Sequence, residues 1–289
     1  MLYHTYMVSA SAIHEIMGAA KMGSVTAKQA DTIADYSGRE TLTDNQEKEL
    51  ARLIAKRDAK PELPVGAKTH CKKWLKTKIY GREKSFSSVQ TDKGNIVEDE
   101  AIKLIGEYLE RPFMVKEDEA PANDGYIKTR GCDVLEWDSV GDNKSSWDFD
   151  TFPLFQTEPE KGHKLQVNGY LSIFDRRIGW IAYTLMDAPE SIVHKLTEWE
   201  CRDLGIPYDL DVFDKIKDHY TYSDYAIELR VKVFWFDRDD ALIKAIHDRV
   251  ELCRDYIKTL ELKLIADGKL TNETKTITLP ETAQQSKVA

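Results

Sequence analysis

Cysteine is scarce in this sequence, and its few copies lie far apart. The 289-residue chain has four cysteines, at Cys71, Cys132, Cys201 and Cys253. No two of them have the close spacing of paired zinc ligands, and the four do not form the cluster that holds an iron–sulfur centre. We therefore expect reduced, mostly buried thiols and no metal centre built on sulfur.

Long apolar runs are missing as well. The sequence has no stretch of about 18 apolar residues, so no membrane span is predicted. Its first residues lack the basic-then-apolar pattern of a secretory signal peptide, and we expect a cytoplasmic protein. Hydrophobic residues make up 42% of the chain, which is typical of an ordinary folded core.

An overall positive charge is also lacking, since the formal net charge is −9 at pH 7. That value argues against a nucleic-acid partner, but the distribution of charge matters more than its sum. Residues 68–84 are basic, with Trp74, Tyr80 and Phe86 between the charges. The candidate DNA-binding residues of this segment are Lys72, Lys73, Lys76, Lys78 and Arg82. The segment either binds phosphates and stacks on a base, or forms an amphipathic helix whose basic face is merely solvated.

What the chain does contain is a compact group of charged residues on two short strand patterns within residues 131–147. Asp133 begins the first pattern, and Asp142 and Lys144 lie on the second. Residues two apart on a strand point to the same face, and a tight hairpin brings Asp133 beside them. Two carboxylates and one ammonium are what Mg²⁺-dependent phosphodiester cleavage requires. The carboxylates hold a hard cation, and the lysine orients a water or steadies charge on the phosphate.

An acid-x-lysine triplet has little value by itself. It also begins at Asp58, Glu261, Asp267 and Glu273, where a solvated surface pair is the ordinary interpretation. The triplet at Asp142 differs because it lies in a strand-like, apolar setting with another acid nine residues upstream. Its context, and not the triplet, indicates a site.

A helical pattern precedes these strands and carries a third acid. Its apolar residues recur at helical spacing after Gly94, at Val97, Ala101, Leu104, Ile105 and Tyr108. Glu98 lies at the edge of that apolar face, from which its carboxylate could reach a metal. The alternative is that Glu98, Asp99 and Glu100 are first-turn acids that complement the helix dipole.

A second helical pattern follows the strands. Gln166 and Tyr170 are one turn apart on one face, beside an apolar stripe of Leu165, Leu171 and Phe174. The pair could contact a sugar-phosphate backbone or buttress the acids. Alternatively, it is part of an ordinary polar helix face.

The order of these features resembles that of PD-(D/E)XK nucleases of the RecB-like branch. Within that superfamily the chain is most similar to phage exonucleases of the lambda-exonuclease type, which serve viral recombination. Residues 9–14, Ser-Ala-Ser-Ala-Ile-His, resemble the family's opening helix, where a serine faces the 5′-terminal phosphate of the substrate strand. Ser11 is the matching position. The resemblance covers about residues 8–174.

The resemblance implies a role for each candidate residue. The metal ligands would be Asp133, Asp142, a backbone carbonyl near Asn143, and Glu98. The catalytic lysine would be Lys144, with Gln166 and Tyr170 as supports of the active site, and Ser11 would contact DNA. Mg²⁺ would be the cofactor, with Mn²⁺ as a substitute.

The resemblance also implies an α/β fold. We expect a restriction-endonuclease-like core, with a central mixed sheet flanked by helices and a helical N-terminal elaboration. One nuclease domain would span residues 1–266, with a helical and basic elaboration over 41–90 and the catalytic motifs over 94–186. Residues 267–289 are polar, and we expect a flexible tail there.

Individual elements can be predicted from patterns. Helices are expected over 11–22, from Thr43 with its Thr43–Gln46 capping box, over 188–204 and over 238–265. Further strands are expected over 178–186 and 229–236.

The expected activity is a Mg²⁺-dependent exonuclease that resects ends of double-stranded DNA. The alternatives are an endonuclease of the same superfamily and a non-catalytic DNA-binding protein whose acids are remnants. The complete set of acids and lysine speaks against the second alternative. The resemblance also implies a homo-oligomer around DNA, a single-strand annealing protein as a partner, and the bacterial host cytoplasm as the location if the protein is viral.

Overall fold

The computed structural model describes residues 1–18, 25–58, 62–83, 88–111, 114, 116 and 121–271. These residues form two compact units. The described parts of Met1–Tyr6, His14–Arg82 and 245–271 make up the first unit, and those of Met7–Ile13 and Glu83–Lys244 make up the second. The prediction of one domain over residues 1–266 stays a prediction.

Helices and short strands alternate along the chain. The α-helices are α1 (Ile13–Ile16), α2 (Ala27–Ser37), α3 (Asp44–Asp58), α4 (Val65–Tyr80), α5 (Val89–Tyr108), α6 (Lys161–Phe174), α7 (Glu190–Leu204), α8 (Leu210–His219) and α9 (Asp240–Ala266). The strands are β1 (Val8–Ser9), β2 (Ala122–Asn123), β3 (Ile127–Thr129), β4 (Val134–Leu135), β5 (Ser139–Ser145), β6 (Ile178–Thr184) and β7 (Val231–Asp237). Among the described helices, none is both long and apolar enough to cross a membrane.

The first unit is helical, and its helices bury apolar stripes. The predicted capping box begins α3, because Thr43 N donates to Gln46 Oε1 at 3.0 Å and Gln46 N donates back to Thr43 Oγ1 at 3.4 Å. The long C-terminal helix is also confirmed. Its buried residues include Ile246, Val250, Cys253 and Ile257.

The predicted opening helix over residues 11–22 is wrong in its extent. Ala10–Ala12 form a 3-10 helix, α1 ends at Ile16, and residues 17–18 bend, while residues 19–24 lie outside the described chain. The preceding residues Val8 and Ser9 pair with β3, and Gly18 disfavours continuation of the helix. Helix α2 was not predicted, although Thr26 and Gln29 form the same kind of capping box as in α3.

The second unit contains a mixed four-stranded sheet in the order β4-β5-β6-β7, and a three-stranded sheet in the order β1-β3-β2. In the larger sheet the β5–β6 pair is parallel, and the β4–β5 and β6–β7 pairs are antiparallel. The predicted central mixed sheet and the strands over 178–186 and 229–236 are therefore confirmed, with shorter or shifted ends.

Helices α5 and α6 cover opposite faces of this sheet. On β6, Trp180 and Ala182 pack with Ile102 and Ile105 of α5. The position of Gly179 instead faces α6, where an added Cβ would lie 2.8 Å from Val167. Successive residues of a strand point to opposite faces, so this alternation fixes which strand residues α6 covers. The sheet is flanked by helices, as predicted.

Close packing requires glycine in the middle of β5. A Cβ on Gly141 would lie 2.0 Å from Cζ2 of Trp180, whose side chain is fully buried. The Trp180 ring therefore passes directly over the Gly141 backbone. Any side chain at 141 would push β5 away from β6, one residue before Asp142.

The start of α5 differs from the prediction. The sequence pattern places the helix after Gly94, but the helix begins at Val89, where Ser88 Oγ accepts from Thr91 N at 3.2 Å. The serine cap satisfies a free amide at the start. An added Cβ at Gly94 would meet nothing within 4 Å, so the glycine is an ordinary interior position.

Candidate metal centre and active site

The β4–β5 pair brings the two strand acids to one place. Val134 pairs with Gly141, and the adjacent Asp133 accepts a hydrogen bond at Oδ2 from Asn143 N at 2.6 Å. Asp142 and Lys144 lie on one face of β5, and Lys144 Nζ is 2.8 Å from Asp142 Oδ2. The structure thus places Asp133, Asp142 and Lys144 together on one hairpin.

Two carboxyl groups share one cationic side chain in this buried group. The Asp142 side chain is 1% exposed. Burial, followed by the negative charge of Asp142, raises the pKa of Asp133 to about 7. Burial acts to lower the pKa of Lys144, but the carboxylates of Asp142 and Asp133 outweigh it and the pKa is raised. The lysine is therefore held as an ammonium, and its single charge does not fully compensate two acids.

Helix α6 supplies the support beneath Asp142. Gln166 Nε2 donates to Asp142 Oδ1 at 2.9 Å and to the Tyr170 hydroxyl at 2.7 Å. Both side chains are buried, and burial raises the pKa of Tyr170 above its ordinary range. Side chains in this position cannot contact a sugar-phosphate backbone. Of the alternatives for this pair, the geometry favours the buttress.

Glu98 belongs to the same neighbourhood. Its side chain lines a cavity together with Asn143 and Lys144, and its carboxylate pairs with Lys116 Nζ at 2.7 Å. Because α5 begins at Val89, Glu98 lies in the third turn and not the first. The alternative of a first-turn acid that complements the helix dipole is therefore wrong.

The donor set suits a small hard cation. Among the described residues, no three His, Cys, Asp or Glu side chains converge into a ready-made cage. Mg²⁺ does not need such a cage, because it is bound through one or two carboxylates and keeps several waters or takes phosphate oxygens. The two acids supply those carboxylates. The side-chain amide of Asn143 accepts from Thr184 Oγ1 at 3.0 Å and donates to Ser145 Oγ at 3.2 Å, so that side chain is already used within the protein.

The cavity beside the acids has a volume of about 530 Å³. It lies at the end of β5, against the first three turns of α5 and the start of α6. Its lining residues are Thr91, Gly94, Asn95, Glu98, Asn143, Lys144, Ser145, Ser146, Trp147, Thr151, Glu160, His163 and Tyr183. Most of these side chains are polar, which suits a charged ligand.

Sequence patterns did not reveal Lys93, which holds one wall of this cavity. The lysine is 1% exposed, and its Nζ donates to Ser146 O at 3.2 Å and to Trp147 O at 2.7 Å. Burial lowers the pKa of Lys93 to about 8. The lysine fixes the chain just after β5, where the strand leaves the acids.

His163 and Tyr183 are further cavity residues that the sequence did not indicate. The Tyr183 hydroxyl lies 2.8 Å from His163 Nδ1 and accepts from Glu160 N at 3.0 Å. Tyr183 is also the register partner of Lys144 across the β5–β6 pair. Only the strand register, which a single sequence does not give, relates these residues to the acids.

Ser11 lies in the same unit as the acids. It is exposed within the 3-10 helix Ala10–Ala12, and its hydroxyl is 3.1 Å from that of Ser9. Helix α6 packs closely on this segment, since a Cβ at Gly169 would lie 2.6 Å from Ile13 Cδ1. The contact of Ser11 with a 5′-terminal phosphate stays a prediction.

The basic segment forms α4 in the helical unit. Lys72, Lys73, Lys76 and Arg82 are exposed, and Lys78 Nζ lies 5.9 Å from the Trp74 ring centroid. The opposite side is buried through Ala67, Cys71 and Leu75. Residues 84–87, with Lys84 and Phe86, lie outside the described chain. An amphipathic helix of this kind fits both interpretations of the segment.

The chain has the fold of a phage-related exonuclease from Haemophilus somnus 129PT. That structure matches with a TM-score of 0.62 and 20% identity, and the match covers 91% of this chain and 100% of the other. This likeness confirms the predicted α/β fold.

Two structures of an alkaline exonuclease from Laribacter hongkongensis also match. One has a TM-score of 0.48 and 12% identity and covers 91% of this chain and 93% of the other. The other, a complex with dAMP, has a TM-score of 0.43 and 14% identity and covers 87% and 96%. No protein-family model and no curated protein matches the chain.

Proposed function

We propose that this protein is a Mg²⁺-dependent deoxyribonuclease that degrades double-stranded DNA from its ends. The observation that carries the proposal is the hairpin that joins Asp133, Asp142 and Lys144, where two buried carboxyl groups share one ammonium. The fold, shared with a protein described as a phage-related exonuclease, supports the same activity.

The carboxylates of Asp133 and Asp142 and the backbone carbonyl of Asn143 would hold the cation directly. Glu98, which pairs with Lys116 at 2.7 Å, would complete its surroundings through water. When bound, Mg²⁺ would stabilise the negative charge that develops on the phosphate. Gln166 keeps the Asp142 carboxylate in place through Oδ1, which leaves Oδ2 directed towards Lys144 and the cation.

Lys144 acts on the reacting groups through its ammonium. Nζ donates hydrogen bonds and has no lone pair while the carboxylates keep it protonated. In that form it orients the attacking water or a phosphate oxygen. It also stabilises the negative charge on the oxygens of the pentacoordinate phosphorus in the transition state. A neutral lysine could instead accept a proton from the water, which requires the cation to lower the Lys144 pKa by repulsion.

The test is digestion of linear, 5′-phosphorylated duplex DNA with Mg²⁺, beside closed circular DNA of the same sequence. We expect loss of the linear substrate alone, and no loss with Lys144→Ala. Cutting of the circle would instead assign an endonuclease. Intact DNA in both tubes, together with retained binding, would assign a non-catalytic DNA-binding protein.

Several further features of the proposal follow from the family resemblance. Mn²⁺ is expected to replace Mg²⁺, Ser11 to contact the 5′-terminal phosphate, and the basic helix α4 to bind DNA. We also propose a homo-oligomer around DNA, a single-strand annealing protein as partner, and action in the bacterial host cytoplasm. Light scattering tests the oligomer, and a monomer would remove the ring without changing the chemistry.

A further inference from the structure

The segment that joins β5 to α6 runs along the cavity. We call residues 146–160 the aromatic loop, because it carries Trp147, Phe149, Phe152 and Phe155. Both of its ends line the cavity that contains Lys144, through Trp147 and Thr151 at the start and Glu160 at the end. The loop therefore begins and ends at the candidate active site.

The aromatic loop is anchored at several points. Phe152 is 5% exposed and holds the middle of the loop to the protein. Asp148 and Thr151 close a local turn, in which Thr151 N donates to Asp148 Oδ1 at 2.9 Å and Asp148 N donates to Thr151 Oγ1 at 3.0 Å. Lys232 Nζ donates to Leu154 O at 2.7 Å. The next residue, Phe155, nevertheless stands in water with 90% of its surface exposed.

Strand register relates the anchor of this loop to the candidate active site. Lys144 pairs with Tyr183 on β6, and Tyr183 pairs with Lys232 on β7. Neighbouring strands are about 4.8 Å apart, so the Cα atoms of Lys144 and Lys232 are about 10 Å apart. Lys232 in turn binds the carbonyl of Leu154. Phe155, the residue after Leu154, is therefore anchored to the same row of the sheet as Lys144, two strands away.

We propose that Phe155 stacks on a base of the DNA end that is held for cleavage, which makes the aromatic loop a nucleic-acid contact. This inference rests on the proposed nuclease function. An exposed ring can stack on any base, because every base offers a π-face, and Lys232, which is bonded to the residue before Phe155, supplies a cation beside it. A contact of this kind would position a frayed end relative to the acids without reading its sequence.

The chain offers a matched control. Trp137 is also 90% exposed, but it lies in the β4–β5 turn, before the Ser139 end of β5. Ser139 and Lys144 are five residues apart, or about 17 Å along a strand. Loss of this second ring tests whether any exposed aromatic side chain gives the same effect.

The experiment measures DNA binding without cleavage. Duplexes with 2-aminopurine at successive positions from the 5′-phosphorylated end are titrated in EDTA with the wild type, Phe155→Ala, Phe155→Leu, Phe155→Trp and Trp137→Ala. We expect Phe155→Ala to lose about 5- to 150-fold in affinity, the range of one lost base–aromatic stack. Phe155→Leu should lose nearly as much, while Phe155→Trp and Trp137→Ala should bind as the wild type. Quenching of 2-aminopurine at one position should disappear with Phe155→Ala and Phe155→Leu and persist with Phe155→Trp and Trp137→Ala.

Two results would overturn the inference. Wild-type affinity and quenching in Phe155→Ala would show that the ring does not touch DNA. A change in molar mass of Phe155→Ala by light scattering, with affinity per subunit unchanged, would assign the ring to a subunit contact. The proposed function fails separately: a wild-type protein that quenches 2-aminopurine through Phe155 but leaves linear DNA intact with Mg²⁺ would keep the stacking contact and lose the nuclease.

Discussion

The two ends of β5 carry the same kinds of side chain in opposite electrostatic states. At the turn end, the carboxylate of Glu136 pairs with Arg111 at 2.8 Å, and that of Asp138 pairs with Arg177 at 2.8 Å. Each acid there has an arginine of its own, and Ser139 also donates to Glu136. These pairs contact solvent, and each stabilises the folded state by about 0–1 kcal/mol.

At the other end of the strand, the acids share too few cations. Asp133 and Asp142 are held together in a buried place with Lys144 alone, and the pKa of Asp133 is raised to about 7. Each acid at the turn end has its own arginine, whereas Asp133 and Asp142 share Lys144. Carboxyl groups without a cation of their own are therefore not a general property of this hairpin. Uncompensated buried carboxylates are costly to maintain unless a cation joins them, and perturbed groups of this kind cluster at functional sites.

Removal of the lysine should have the largest effect. Lys144→Ala is expected to lower cleavage of linear duplex DNA by about 10²- to 10³-fold, as for other hydrogen-bond donors directed at the charge that develops in the transition state. The reason is that the ammonium is the only cationic side chain within an ion pair's distance of Asp142 among the described residues. The matched variant at the turn end, Arg177→Ala, removes an exposed partner of Asp138 and should leave the cleavage rate unchanged. An equal loss of cleavage rate in Lys144→Ala and Arg177→Ala would show that the two ends of β5 do not differ in function.

Loss of the buttress should have a smaller effect. Gln166→Ala removes the donor to Asp142 Oδ1 and is expected to lower metal affinity or cleavage by about 10- to 100-fold, as for other groups that orient a metal ligand. Steady-state cleavage rates at several Mg²⁺ concentrations measure both. Ser139→Ala removes the corresponding donor to Glu136 at the turn end and serves as the control. A Gln166→Ala enzyme with wild-type Mg²⁺ dependence would show that the buttress has no functional role.

The smallest expected effect is on stability. The pKa of Asp133 is about 7, above its ordinary value of 3.8, so the folded state prefers the protonated acid. Without metal, stability should therefore fall as the pH rises from about 4 to about 7 and change little from this group above that. Asp133→Asn removes the charge and should raise the free energy of unfolding at pH 8 in EDTA by about 1–3 kcal/mol.

Thermal melts at pH 5 and pH 8 check this prediction, with Asp138→Asn as the turn-end control. Mg²⁺ should raise the melting temperature of the wild type at pH 8, since a ligand that binds only the folded state stabilises it. It should not do so for Asp133→Asn. If the wild type gains stability between pH 5 and pH 8 in EDTA, and Asp133→Asn does not, the contribution of Asp133 has the opposite sign and the prediction is wrong.

Local patterns were sufficient for the residues that lie close together in sequence. Strand alternation placed Asp142 and Lys144 on one face, helical spacing placed Gln166 beside Tyr170, and the capping box placed the start of α3. The start of α5 was missed because the glycine at 94 looked like a boundary, whereas the Ser88 cap is a weaker pattern in the sequence.

The remaining parts of the site depend on contacts between distant residues. Lys93 reaches carbonyls 53 and 54 residues away, and Tyr183 reaches Lys144 only through the β5–β6 register. A single sequence reveals neither the Lys93 contacts nor the strand register. The opening helix ends early for a local reason instead, since α1 stops at Ile16 and Gly18 follows, where glycine disfavours a helix.

Titration of the metal-free protein with Mn²⁺, followed by the electron paramagnetic resonance signal of the free ion, tests the central claim most directly. The claim is that the acids at the Lys144 end of β5, and not those at the turn end, hold a divalent cation. It predicts that the wild type and Asp138→Asn bind Mn²⁺ alike, and that Asp142→Asn and Asp133→Asn bind it at least about 10-fold more weakly. Equal binding by all four proteins, or none by the wild type, would contradict it.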